Sequence, residues 1–185
     1  MKRVKRPAAV VITIVAGLIL VVAGPVAAKW VYFYMTQIRC GTPRAEGEIQ
    51  ALSAALETYK QEHGGYPSNT ATEQLSPAQF HDPALYIPAS QFLYRILSGD
   101  NDGDPRIGSH ADSKAYFPFK RDMIRMAPGG PYVVDPWGNA YGYSTLKAKQ
   151  PNSNDGYNSG GFDLWSTGGT TRSRNQSGWY ANWER

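Results

Sequence analysis

The chain has 185 residues, a formal net charge of +4 and a single cysteine, Cys40. That length holds one domain of about 145 residues behind an N-terminal segment, and not two. One cysteine excludes an internal disulfide framework. The charge excludes a nucleic-acid reader, because Lys2, Arg3, Lys5 and Arg6 supply the excess at the extreme N-terminus and the remainder is near neutral.

Ala8 to Ala28 carries no charge over twenty-one residues. As a helix rising ~1.5 Å per residue it spans ~30 Å, the thickness of a bilayer's hydrocarbon core. The basic residues ahead of it keep the N-terminus inside, so the rest of the chain crosses. Two readings compete. An uncleaved anchor continues through Trp30 to Tyr34, whose rings suit the outer interface. A cleaved signal peptide ends at Val26-Ala-Ala28, behind Pro25. The length of the run and the apolar residues beyond Ala28 favour the anchor. The expected division is residues 1–43 as basic leader, transmembrane helix and interfacial segment, and 44–185 as the external domain.

Gly41-Thr-Pro43 is expected to interrupt the first helical region, since proline donates no N–H. From Arg44 to about Glu62, Ile49, Leu52, Leu56 and Tyr59 recur at helical spacing and form one apolar stripe. Gly64-Gly65 ends this helix and Pro67 prevents a restart. Residues 68–88 read as loop. Ser90 to Leu97 has a helical period and stops at Gly99. Asp100 to Ser113 is polar and reads as an exposed loop. Ala115 to Phe119 reads as a short extended edge because of Pro118, and Met123 to Met126 as one helical turn.

Tyr132-Val-Val134 and Ala140 to Ser144 read as strands joined by Asp135-Pro136-Trp137-Gly138-Asn139, with proline at a turn's first inner position and Gly-Asn where positive φ is favoured. Residues 150–161 are loop, Phe162 to Ser166 reads as a third strand, and the tail from Gly168 is loop-rich. Trp137 and Trp165 read as sheet core, with a sugar-binding platform as the alternative.

The order of these pieces resembles the major pseudopilin of type II secretion systems, a member of the pilin-like family. The likeness rests on Tyr59, Gly65, Tyr66 and Pro67 at the helix end, on Asp135 to Asn139 with Tyr141 and Tyr143, and on Phe162-Asp163-Leu164 through Gly168. It covers roughly a third of the chain. It implies an α+β, pilin-like fold: a long N-terminal membrane helix whose amphipathic extension packs on a small antiparallel sheet, with a loop-rich C-terminus. It implies a structural, non-enzymatic protein in the bacterial inner membrane, single-pass, with a periplasmic C-terminal domain. Its expected partners are other secretion-apparatus or pilin-like subunits. The alternative is a membrane-anchored or secreted periplasmic ligand-binding module on the same domain.

Two features depart from the family. Its members carry a Gly-Phe-Thr-Leu-Ile-Glu type processing sequence, whereas residues 1–45 here contain no Glu. The expectation is a chain that prepilin peptidase does not process and that forms no filament alone. The family also binds Ca²⁺ in a C-terminal loop, and the matching residues 168–177 hold no carboxylate but include Arg172 and Arg174. The expected cofactor is therefore none. Asp100, Asp102 and Asp104 alternate like the start of an EF-hand loop, but Pro105 stands where such a loop needs glycine, which leaves a weak calcium candidate. His63, His81 and His110 show no paired spacing and read as surface residues. No motif of a catalytic nucleophile or phosphate-binding loop is present.

Overall fold

The computed structural model describes Lys29 and residues 41–79, 81–100, 114–170 and 176–184. The chain divides into two units, Met1–Cys40 and Gly41–Arg185, and the following concerns the second. The expected membrane span over 8–28 lies outside the described residues. Among the described residues no helix is long and apolar enough to cross a membrane.

The first element, α1, runs over residues 41–63 without a break. Gly41, Thr42 and Pro43 are themselves helical, and the preceding region that they were expected to interrupt lies outside the described residues. A proline removes only the bond that its own N–H would make one turn back, and the turns after it are intact. The stripe predicted for this helix is buried at Ile49, Leu52 and Leu56. Tyr59 differs: it is half-exposed and packs on His63 and Tyr116 at the helix end.

Residues 68–88 are not all loop. Asn69 caps a short helix, α2 (Thr70–Gln74), and Asp82 caps a 3-10 turn over Pro83–Tyr86. That turn leads into α3 (Ile87–Ser98), which ends at Gly99 with φ 72°, as its sequence suggests. Residues 114–120 form bends and not a strand. Met123 to Met126 is not a helical turn either. A 3-10 turn over Arg121–Met123 opens into β1 (Ile124–Ala127), which pairs antiparallel with β2 (Gly130–Val133). The tight turn between them holds Gly129 at φ 98°, and β2 starts at Gly130 with φ 117°, a left-handed region that favours glycine.

β3 (Gly142–Ser144) follows, then a four-residue helix, α4 (Leu146–Lys149), and β4 (Asp163–Ser166). A short β5 (Tyr180–Ala181) completes a three-stranded antiparallel sheet in the order β3-β4-β5. The tail is thus not loop throughout. The described residues form an α+β fold with two small antiparallel sheets.

β4 is buried along its whole length because both faces of the sheet are covered. Successive strand residues point to opposite faces. Leu164, opposite Tyr143, joins a core with Leu52 and Leu56 of α1, Leu93 and Leu97 of α3, and Val133 of β2. Trp165, opposite Gly142, joins a second core with Leu75, Tyr86, Ala89 and Trp179. The expected packing of Ile49, Leu52 and Leu56 against Val133, Tyr141, Phe162 and Leu164 is present, while Tyr59 lies outside that core.

Candidate functional site

The Asp135–Asn139 segment is a closed turn built on one buried carboxylate. Asp135 Oδ1 accepts the backbone N–H of Trp137 and of Asn139, each at 2.9 Å. Asp135 Oδ2 accepts the Ser166 hydroxyl at 2.5 Å, tying the turn to β4. Gly138, at φ 87°, donates its N–H to the Asp135 carbonyl at 2.9 Å. A single antiparallel bridge between Val134 and Ala140 spans the turn. Burial pushes the Asp135 carboxyl above the usual carboxylate range, and the three bonds partly offset this.

Trp137 projects from this turn toward the start of α1. Its indole stacks on Tyr180 with centroids 5.4 Å apart and an interplanar angle of 13°. A Cβ at Gly41 would lie 2.6 Å from that indole, so only glycine allows the approach. Thr42 and Tyr180 share a hydrogen bond of 2.8 Å between hydroxyls. One turn further, Tyr141 donates to Glu48 at 2.8 Å, Arg44 pairs with Glu48 at 2.6 Å, and Arg44 reaches Asp122 at 2.9 Å. Burial, then the charge of Glu48, pushes the Tyr141 hydroxyl far above its ordinary value.

The remaining sequence-marked residues gather at the other end of α1. Tyr66 stacks edge-on against Phe162 at 4.9 Å and donates to Glu57 at 2.7 Å. Tyr143 donates to the Pro67 carbonyl at 2.7 Å. Gly65 is exposed beside them. Asp163 accepts the N–H groups of Tyr157 and Asn158, each at 2.9 Å, and so orders the loop before β4. Burial raises the Asp163 carboxyl as well. Gly168 belongs instead to the first joint: at φ 62°, it donates its N–H to the Ser166 hydroxyl at 3.0 Å.

These residues therefore fall at two joints between helix and sheet and do not converge on one reacting centre. Pro136 and Asn139 belong to the first joint and are half-buried. Trp165 is core, as expected, but Trp137 is half-exposed and acts as a clasp. His63 is exposed, whereas His81 is half-buried against Trp179 at 5.7 Å. His110, Asp102 and Asp104 lie outside the described residues. Asp100 accepts the Tyr94 hydroxyl at 3.0 Å. No group of three metal-ligating side chains occurs among the described residues.

One feature escaped the sequence altogether. A groove of about 710 Å³ opens between α1 and the C-terminal segment, with Glu46, Gln50 and Ser53 on one wall and Trp179, Trp183 and Glu184 on the other. No protein-family model, curated protein or solved structure matches the chain.

Proposed function

We propose that this chain is a structural, pseudopilin-like component of a type II secretion or type IV pilus-like apparatus. In this reading residues 1–43 hold it in the bacterial inner membrane, and the pilin-like domain engages other subunits in the periplasm. The observation that carries the proposal is the use made of the resemblance residues. Asp135, Trp137 and Tyr141 secure the start of α1, and Tyr66, Pro67 and Phe162 secure its end. A helix held at both ends against a sheet suits a rod that transmits position, and none of these side chains is left for chemistry.

The test is photo-crosslinking in intact membranes, with the chain coexpressed with a complete secretion apparatus. A crosslinker goes at the exposed α1 positions Ala54 and Gln61. Adducts with pilin-like subunits are the expected result. A chain that forms none, at either position, sinks the assembly reading. A second reading, an anchored or secreted periplasmic ligand-binding module, is favoured by the groove beside α1, which serves no packing purpose.

A further inference from the structure

The groove gives that second reading a ligand class. Its volume of about 710 Å³ falls within the ~300–1,000 Å³ range of small-molecule sites. Glu46 and Gln50 are exposed and one helical turn apart, so they share a face of α1. Trp183 closes the opposite wall. Its indole stacks on Tyr157 at 4.4 Å and 15°, and meets Trp165 at 5.9 Å. Tyr157 is outside the groove wall and is itself tied to Gln176 by a 2.8 Å bond, so Trp183 is braced from behind. Gln50 adds a side-chain amide, both donor and acceptor, to the helix wall.

These groups together discriminate between ligand classes. Among the described residues none that lines the groove is basic, while Glu46 and Glu184 are acidic, which disfavours an anion. A simple cation would match the carboxylates but could accept nothing from the Gln50 amide N–H. An apolar ligand would strand every polar group. A sugar meets all three demands. Its hydroxyls donate to Glu46 and Glu184, they accept from the Gln50 amide N–H, and its C–H face lies on an indole. We propose that the groove between α1 and the C-terminal segment binds a neutral saccharide, with Trp183 as the stacking platform and Glu46, Gln50 and Glu184 as hydroxyl partners.

The proposal deepens the ligand-binding reading and is independent of the assembly reading, since titration of the purified chain reports nothing about crosslinked partners. The test uses the full-length chain in a zwitterionic detergent without a sugar headgroup. Maltose, cellobiose, lactose and N,N′-diacetylchitobiose are titrated while tryptophan fluorescence is read. The expected result is a saturable change with at least one of them at millimolar concentration. Gln50→Ala and Glu46→Gln alter exposed helix positions and should weaken it about tenfold with an unchanged thermal midpoint. Trp183→Ala should abolish it; if that variant fails to fold, the two helix variants decide. No saturable response up to ~10 mM with any sugar overturns the proposal. So does a response that both helix variants leave unchanged, or a response to putrescine with none to sugars.

Discussion

At Gly41 a hydrogen atom is the largest side chain the Trp137 clasp tolerates. A Cβ there would sit 2.6 Å from the indole, whereas at Gly47, six residues on and exposed, a Cβ would meet nothing within 4 Å. Alanine is the better helix former by about 1 kcal/mol at both positions. The two substitutions should therefore differ in sign. Gly47→Ala should stabilise by about 0.5–1 kcal/mol. Gly41→Ala should destabilise by about 1–3 kcal/mol, because overpacking outweighs propensity. Denaturant midpoints of the two variants check this, and equal shifts would show that Trp137 does not bear on the helix. Asp135 offers a pH test at the same joint. Burial lifts its folded-state pKa above the unfolded one. The stability it contributes is then full below the ordinary carboxylate range, near pH ~4, and declines as pH rises through the folded-state pKa. An asparagine carbonyl can still accept both turn N–H groups and does not ionise. Asp135→Asn should gain on the native chain as pH goes from about 4 to about 7. Unfolding free energies measured at both pH values give the answer, and a constant difference between the two proteins would refute it.

Single side chains also stitch whole elements together, and Ser90 is the clearest case. From α3 its hydroxyl donates to the Val133 carbonyl at 2.7 Å and accepts the Val133 N–H at 3.0 Å, joining helix to β2. Both residues are fully buried. Ser90→Ala leaves that N–H without a partner, which costs about 1–3 kcal/mol. Ser90→Thr keeps the hydroxyl and should cost less in the same thermal melt, unless its methyl clashes more than the lost bond. A cost for alanine within error of zero would remove this stitch from the account. Which elements were legible follows from how locally each is specified. α1 and α3 carry their own apolar period, and Gly64 and Gly99 end them. β1 does not: none of its four residues is buried, and Met123 and Met126 stand at the i,i+3 spacing of a helical turn. The signal that defines it lies in the following Pro128-Gly129-Gly130, a turn sequence that commits both flanks to a hairpin. β5 is two residues long and exists only because β4 offers it an edge. No local pattern could announce it. The groove was invisible for a similar reason, since Gln50 and Trp183 are brought to one cleft only by the complete fold.

At the scale of the whole domain, three buried tyrosine hydroxyls set the alkaline limit. Tyr86, Tyr141 and Tyr143 are each fully buried. Burial is the main cause that raises all three, with Tyr86 pushed up to about 12. A phenol whose folded-state pKa is raised contributes stability that is complete below its unfolded value, near pH ~10, and lost as pH climbs through the folded value. For Tyr86 alone, two pKa units amount to roughly 2–3 kcal/mol at the far end of that window. Tyr141 and Tyr143 act in the same direction, and both lie in the core shared by α1 and the β3-β4 pair. A domain of this size has only about 5–15 kcal/mol in hand. It should therefore unfold between pH ~10 and ~12 rather than titrate while folded. Phenolate absorbance and far-UV circular dichroism, followed on one pH ramp, distinguish the outcomes. Early phenolate amplitude should leave the helix signal unchanged. The remaining phenolate amplitude should then appear together with unfolding in one step. If the buried phenols ionise gradually while helix content holds, water reaches them in the native state, and the sealed core between α1, α3 and the sheet is refuted.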